Sequence, residues 1–197
     1  VKGFKPILFN GDNYSAEWVA EAKRRGLLNL SSTMDALPYL ASEKNAALFE
    51  KYGVLSHREL ESRHEIYVDQ YFKTVNIEGE TGQYMAQTMV LPAATRYLSQ
   101  LLTAAERADH LGVHAEGVLA TARKVNELID RLTEKLEVLA VQNQELGGDD
   151  VFSKAQHMRK NIVPALNAVR DVVDRLERII PDDIWPFPTY REMLFIK

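Results

Sequence analysis

His110 and His114 stand four residues apart, with Asp109 and Glu116 close by, and this spacing is the first that suggests a chemical role. Two histidines at positions i and i+4 of a helix can ligate one zinc ion, but a zinc site needs three or four ligands. Gly112 lies between them, where one helical pattern ends and before the next begins. We therefore expect a turn with exposed histidines and no metal site.

The remaining histidines and the paired carboxylates form no catalytic pattern. His57, His64 and His157 each stand alone on a predicted helix, where we expect a position at the surface or its rim. The aspartate pair at 149–150 is expected to cap a helix, and the pair at 182–183 follows a helix-ending proline. The sequence has no Gly-rich phosphate loop, no dinucleotide fingerprint, no G-x-S-x-G and no H-E-x-x-H. We predict no catalytic, cofactor-binding or metal-binding residue in this chain.

The stretch "NIEGETG" is unusual because it places two glycines inside a long helical pattern. Glycine costs about 1 kcal/mol relative to alanine in a helix interior. Gly79 and Gly82, beside Glu78 and Glu80, therefore leave two interpretations open. Either the backbone here contacts a neighbouring element, or the helix tolerates a weak segment.

A very long helix is predicted to position these residues. Ser56 and Glu59 match a capping box, and the helical pattern that begins there continues to His110. Pro92 lacks the N–H group that one ladder hydrogen bond requires, so it should kink the helix. We expect two or three segments along one continuous axis.

Two further helices show an uninterrupted heptad pattern. The first series runs through Val118, Ala122, Val125, Ile129, Leu132, Leu136, Leu139, Asn143 and Leu146. The second runs through Ala155, Met158, Ile162, Ala165, Val169, Val172, Leu176 and Ile179. The turn Gly-Gly-Asp-Asp joins them, which predicts an antiparallel, coiled-coil-like hairpin over residues 115–180. Further apolar positions widen the stripe, so the long helix should pack on the pair, and Pro164 should bend the last helix.

The two ends of the chain carry short apolar runs outside this bundle. We expect residues 1–55 to form a junction strand at Ile7–Phe9 and three short helices, residues 56–180 to form the bundle, and residues 181–197 to form an extended tail. We expect Met193–Ile196 to pair with Ile7–Phe9, because an isolated strand leaves its backbone groups without partners. The alternative is that each run docks separately, on helices, on another domain or on a symmetry mate. The predicted fold class is thus all-α: a long antiparallel helical bundle with short helices before it and a minor strand pairing.

Composition excludes several classes of function. The 197 residues are 46% hydrophobic and 26% charged, with a net charge of −4. A broad nucleic-acid-binding surface is not expected on an acidic chain. The sequence contains no run of 18 apolar residues, so no membrane span is predicted. Cysteine is absent, which excludes disulfides, thiol catalysis and Cys-ligated zinc. Without a secretory leader the default expectation is a cytoplasmic protein, and an initial valine fits a fragment.

Long ordered segments of the chain resemble the C-terminal region of type III glutamine synthetases. They are "ILFNGDNYSAEWVAEAKRRGLLNL", "TMDALPYL", "LFEKYGVLSHRELESRHEIYVDQYFKTVNIE", "LPAATRY" and "WPFPTYREMLF". The resemblance covers nearly the whole chain and is most extensive between Ile7 and Tyr97 and at the tail. "NIEGETGQYMAQ" departs from the family pattern, in which an alanine follows the glutamate.

The resemblance implies a parent enzyme that makes glutamine from glutamate and ammonia with ATP and a divalent metal such as Mg²⁺. Its catalytic residues would lie upstream of this region, so none is carried over to this chain. The expected partners are the catalytic domain of the same polypeptide and neighbouring subunits of a homo-oligomer. We expect a non-catalytic domain that serves structure and oligomer assembly; the alternative is a free-standing helical adaptor that binds a partner through its hairpin.

Overall fold

The computed structural model describes residue 3, residues 8–188 and residues 190–194, the last range without the side chains of its first two residues. Within this part of the chain the regular structure is helical and no strand occurs, as the predicted all-α class requires. The chain divides into two compact units, Val1–Tyr67 and Val68–Lys197. Each unit is described separately below.

The first unit holds three short helices: α1 (Ala16–Arg24), α2 (Thr33–Leu40) and α3 (Glu43–Lys51). Ser15 caps α1 by accepting a hydrogen bond from the backbone N–H of Trp18, and Ser32 caps α2 in the same way from Asp35. Pro38 lies inside α2, and the helix continues through it to Leu40. Pro38 has no backbone N–H and cannot donate one hydrogen bond of the helix. That bond lies near the end of the eight-residue helix, so α2 loses little of its hydrogen bonding.

A small core holds this unit together. Its buried side chains come from α1, α2, α3 and the beginning of the next helix: Ala22, Met34, Leu37, Ala46 and Leu60. Many larger apolar side chains of the unit remain exposed, among them Tyr14, Leu28, Tyr52 and Val54.

The strand predicted at Ile7–Phe9 is not found at the two residues of this run that the structure describes; Ile7 lies outside them. Leu8 and Phe9 are irregular and lie against α1. The Phe9 ring stacks on Trp18 with centroids 4.8 Å apart, and the guanidinium of Arg25 lies 6.0 Å from the Phe9 centroid. Arg25 also donates a hydrogen bond to the carbonyl oxygen of Leu8 over 2.7 Å. Leu8 and Phe9 thus contact Trp18 of α1 and Arg25, its C-cap residue, and not a second strand.

The long helix is continuous and has a single π-helical interruption. It comprises α4 (His57–Met85), a π-helical segment (Ala86–Val90) and α5 (Leu91–His110). Ser56 and Glu59 form the predicted capping box: the Ser56 N–H donates to the Glu59 carboxylate at 2.8 Å, and the Glu59 N–H donates to Ser56 Oγ at 3.3 Å. The interruption ends two residues before Pro92, where the missing N–H and the proline ring disturb the preceding turn.

The predicted hairpin is confirmed. Its first arm is α6 (Glu116–Gln144), and its second arm comprises α7 (Val151–His157), a π-helical segment (Met158–Ile162) and α8 (Val163–Glu177). This second π-helical segment also ends two residues before a proline, Pro164. α6 packs against α8 on one side and against α5 on the other, so the long helix is the predicted third helix.

Apolar side chains from the three helices and from the segment after α8 form the main core: Ala86, Val90, Ala94, Leu128, Leu132, Leu136, Leu139, Ala165, Val169, Val172, Leu176 and Ile180. Leu128 is buried while its neighbour Ile129 is half-buried. If only two helices packed together, their seam would bury Ile129 and leave Leu128 outside it. Contact with a third helix moves the centre of the buried face of α6 to Leu128. The core therefore follows the wider stripe that the additional apolar residues indicated.

The tail after α8 is not extended as predicted. The backbone N–H groups of Ile184 and Trp185 both donate to the carbonyl oxygen of Pro181, which makes a turn. Trp185 is buried against the main core and packs edge-on to Phe187, with centroids 5.9 Å apart. A short helix, α9 (Tyr190–Leu194), follows, so Met193 and Leu194 are helical and exposed. The predicted strand pairing of the chain ends is therefore wrong for the described residues; Phe195 and Ile196 lie outside them.

Candidate functional site

The two unusual glycines mark the closest approach between α4 and the hairpin. A Cβ atom built on Gly79 would lie 2.8 Å from both Asn143 Oδ1 and Ile162 Cγ2. A Cβ atom built on Gly82 would lie 2.5 Å from Leu166 Cδ1. Real Cβ atoms essentially never come this close to another heavy atom, so a side chain at either position would require its neighbours to shift. Of the two interpretations left open by the sequence, the backbone contact is the correct one.

A polar contact lies beside this approach. Asn143, the polar member of the first heptad series, donates from Nδ2 to Oε1 of Gln83 over 2.7 Å. The bond joins α6 to α4 and is shielded from water, because both side chains are half-buried. A polar residue in an apolar seam fixes register when it finds a partner across the interface. Asn143 and Gln83 thus align the long helix with the hairpin.

His157 lies in the same end of the bundle and is buried, not at the surface as predicted. Its side chain is 8% exposed. Nε2 lies 2.9 Å from the carbonyl oxygen of Gln142, and Nδ1 lies 2.9 Å from Nδ2 of Asn161. The helical periodicity of the second heptad series puts His157 beside the apolar seam and not in it, so it does not predict burial. The turn between α6 and α7 covers it, since Gly147 packs directly on its Cβ and Cγ atoms.

The turn that covers His157 depends on glycine and on an aspartate cap. Gly147 has a φ of +83°, a left-handed conformation that favours glycine, and a side chain there would collide with His157. Asp150 then caps α7 as predicted, accepting from the Ser153 N–H at 2.9 Å. The Ser153 hydrogen bonds hold the pKa of the Asp150 carboxyl below its usual value. We call Gln83, Asn143, His157 and Asn161 the polar end of the bundle.

The chemistry available at the polar end is limited. It contains two amides that bond to each other and one imidazole whose two nitrogens face a carbonyl oxygen and a third amide. Acid–base catalysis needs a titratable group within reach of a substrate proton. The hydrogen bonds of His157 instead link α6 to the segment after α7, which is a structural use.

His110 and His114 are both exposed, the first at the end of α5 and the second in the turn before α6. Across the described part of the chain, His, Cys, Asp and Glu side chains form no group of three or more that could hold a metal ion. Among the same residues, no helix combines the length and apolar content that crossing a bilayer requires.

A separate charged cluster lies on α1. The Glu21 carboxylate accepts hydrogen bonds from the side chains of Arg24 and Arg25. These two guanidinium groups lower the pKa of Glu21 to about 2. Since Arg25 also bonds to Leu8 and lies over Phe9, the cluster fixes the chain segment before α1. At the beginning of α4, hydrogen bonds from the backbone and side chain of Ser56 likewise lower the pKa of Glu59.

An open groove runs along α5 and α6. Its lining combines apolar side chains, among them Leu98, Leu102 and Leu119, with the polar residues Arg123, Asn126, Glu127 and Asp130. Glu127 pairs with Arg131 on the outer face of α6. The groove resembles an ordinary seam between two helices more than an enclosed ligand pocket, which usually buries most of its ligand.

Comparisons with known proteins give a consistent result. Residues 1–109 match the family model of the glutamine synthetase C-terminal domain. The chain is 35% identical to the type-3 glutamine synthetase of Dictyostelium discoideum over 97% of its length. It is 31% identical to a glutamine synthetase of Bacteroides fragilis over 98% of its length, and 29% identical to one of Butyrivibrio fibrisolvens over 97%. The matches span only 27% to 28% of these relatives' own lengths.

Proposed function

Because the chain belongs to the glutamine synthetase C-terminal domain family, we propose that it is the helical C-terminal domain of a type III glutamine synthetase and serves structure and assembly. The parent reaction would be the ATP-dependent formation of glutamine from glutamate and ammonia. The observation that carries the proposal is the family match over residues 1–109, together with similarity to a type-3 enzyme along 97% of the chain.

The donor set of the described residues does not fit the ATP and divalent metal of the parent reaction. Mg²⁺ is usually bound through carboxylates and substrate phosphates. The described residues bring no three potential His, Cys, Asp or Glu ligands together. We therefore assign metal and nucleotide binding to the remaining three quarters of such an enzyme and derive no catalytic step from this chain.

The structural role is supported by how the interior polar groups are used. Gly79 allows α4 to approach the hairpin, Asn143 bonds to Gln83 across the interface, and His157 joins the two arms of the hairpin. These contacts hold helices in register. They are the contacts expected of a rigid extension attached to an enzyme.

A covalently linked neighbour is supported by the apolar surface of the first unit. Tyr14 is 99% exposed, Tyr52 69%, Leu28 62% and Val54 61%. These apolar side chains are available to contact another protein element. We propose that the catalytic domain of the same polypeptide covers it and that the assembled enzyme is a cytoplasmic homo-oligomer.

The test uses the reading frame that contains this chain. The complete product, the product lacking residues 1–197 and the 197-residue chain alone are purified, and each is assayed for ATP- and ammonia-dependent glutamine formation. Particle mass is measured by light scattering. We expect activity in the complete product, none in the 197-residue chain, and fewer subunits per particle when this chain is removed.

Two results would overturn the proposal. The first is glutamine formation by the 197-residue chain that survives repeated purification. The second is a truncated enzyme with the activity of the complete one and the same number of subunits per particle. A reading frame that encodes no synthetase domain would instead favour the helical adaptor.

A further inference from the structure

The outer side of α4 carries a stripe of uncharged residues at heptad spacing. Its members are Gln70, Thr74, Ile77, Thr81 and Tyr84, all exposed and spaced 4-3-4-3 along the helix. Ile77 is 62% exposed and Tyr84 63%. We call these five residues the α4 stripe. Heptad spacing keeps one face of a helix turned towards a partner helix.

The α4 stripe differs from the outer faces of the hairpin helices. The outer face of α6 carries the ion pair Glu127–Arg131, and that of α8 carries Arg170 with Asp174. Such i,i+4 pairs are usual on a helix that faces water. The α4 stripe has no charged member and presents two large apolar side chains, which are enriched at interfaces.

The inner side of the same helix is already in use. Val75, Gly79 and Ala86 are buried there, and Gly79 lies against Asn143 and Ile162 of the hairpin. The stripe therefore lies on the side of α4 that faces away from the hairpin. A preformed helix face lowers the entropy that binding must overcome.

Charges along the edges of the stripe are self-complementary. Lys73 and Glu80 lie on one edge, one heptad apart, and their midpoint falls between Asn76 and Ile77. When two copies of α4 run antiparallel about a two-fold axis through that midpoint, each Lys73 faces Glu80 of the partner subunit. A two-fold contact uses the same patch twice and therefore requires such self-complementarity.

The charges of Lys73 and Glu80 remain available for this contact. Lys73 Nζ lies 2.6 Å from Asp69 Oδ2, and Glu80 Oε1 accepts from Asn76 Nδ2 at 3.0 Å. Both are exposed contacts within one helix, each worth about 0.2–0.5 kcal/mol. Side chains held this weakly can turn towards an opposite charge on a partner.

We propose that the α4 stripe is a contact surface for a second copy of this chain, which it binds across a two-fold axis near Ile77 with Lys73 paired to a glutamate of the second copy. Ile77 and Tyr84 supply the apolar contacts. The stripe is about 21 Å long at 1.5 Å per residue, so the contact belongs to the small, weak class. In a larger assembly, other contacts would raise the effective concentration of the two stripes.

The first test measures self-association of the 197-residue chain by sedimentation equilibrium at low salt. Lys73→Glu and Glu80→Lys should each weaken association about tenfold or more, because attraction becomes like-charge repulsion. The double variant Lys73→Glu/Glu80→Lys should restore it. Glu137→Lys, an exposed change on the outer face of α6, is the control and should leave association unchanged. Thermal unfolding by circular dichroism checks that each variant folds.

The second charge reversal that restores association identifies whether the two α4 helices run antiparallel or parallel. In a parallel arrangement Lys73 would face Glu78 of the partner subunit, so Glu78→Lys would rescue Lys73→Glu in place of Glu80→Lys. Rescue by Glu80→Lys supports the proposed contact, whereas rescue by Glu78→Lys would overturn the two-fold axis near Ile77. Absence of rescue by both, or association that is unaffected by the charge reversals, overturns the proposal.

A second test does not depend on charge. The chain has no cysteine, so Ile77→Cys introduces one thiol per molecule close to the proposed axis. A short bismaleimide should join two copies through this thiol, whereas Val138→Cys, 49% exposed on α6, should give little product. Equal yields from both variants, or a chain that stays monomeric at about millimolar concentration, contradict the proposal. Such a result would leave the assembly role open to another face, and the truncation experiment tests that role separately.

Discussion

The imidazole of His157 joins the two arms of the hairpin by bonding to the backbone of Gln142, with Nε2 2.9 Å from the carbonyl oxygen. A carbonyl oxygen only accepts hydrogen bonds, so Nε2 carries the proton and Nδ1 accepts from Asn161. Gln142 lies in the last turn of α6, where helix carbonyls have no intrahelical partner. A buried side chain in α7 thus completes the hydrogen bonding of α6.

Replacing His157 with leucine should destabilise the chain. The apolar side chain would leave the Gln142 carbonyl and the Asn161 amide without their partner, at a cost of about 1–3 kcal/mol for a buried polar group. Urea unfolding followed by circular dichroism would measure the loss. His114→Leu is the control, because His114 is exposed, and equal midpoints for the two variants would contradict the structural use of His157.

Alanine at the two glycines of α4 should have different effects. A Cβ at Gly79 meets Asn143, which is bonded to Gln83, and Ile162, which is fully buried. Gly79→Ala should therefore destabilise by about 1–3 kcal/mol through overpacking. A Cβ at Gly82 meets only the end of the Leu166 side chain, which can move.

Gly82→Ala should thus cost less than Gly79→Ala, because the gain in helix propensity, about 1 kcal/mol, offsets part of the strain. Denaturant midpoints of the two variants provide the comparison. If Gly79→Ala were as stable as the original chain, the close approach of α4 to Asn143 and Ile162 would be wrong.

Features encoded in local sequence could be predicted. The capping box of Ser56 and Glu59, the Asp150 cap and the heptad hairpin depend on neighbouring residues or on periodicity, and each is present. Both prolines inside long helices were expected to disturb them, and each follows a π-helical segment. The disturbance was predictable, but its π-helical form depends on how the helix packs.

Features that depend on distant residues could not be predicted. His157 is buried because the turn around Gly147 folds over it, and its own helix gives no sign of that cover. The apolar run at Leu8 and Phe9 predicts a strand that needs a partner strand, whereas Trp18 of α1 and its C-cap residue Arg25 provide the contacts. The glycines of α4 signalled a close contact, because each costs helix propensity that another residue would not. They did not identify the neighbouring element.

Large-to-small changes in the centre of the hairpin should be among the most costly. Leu132 and Leu176 are 0% exposed and belong to the same core. Replacing either with alanine should cost about 2–5 kcal/mol, from lost burial and the remaining cavity. Glu137→Gln on the exposed face should change stability by about 0.5 kcal/mol or less. Similar midpoints for all three variants in guanidinium chloride would exclude this core.

The carboxylate of Glu21 should make the stability of the first unit depend on pH. Hydrogen bonds from Arg24 and Arg25 lower its pKa from 4.5 to about 2 in the folded chain. The folded state therefore favours the ionised carboxylate, and the resulting stability is fully present above pH 4.5 or so. As pH falls from about 4.5 towards 2, protonation removes this contribution.

Glu21→Gln should lower the stability at neutral pH and flatten its decrease between about pH 5 and 2. The side chains of Arg24 and Arg25 would lose a charged acceptor, and Arg25 would hold Leu8 and Phe9 less firmly. Amide exchange at Phe9 should then become faster at pH 7 than in the original chain. Glu50→Gln, an exposed change on α3, should alter neither the acid limb nor this exchange. A Glu21→Gln variant whose stability falls with acid as steeply as that of the original chain would show that this carboxylate does not control the pH dependence.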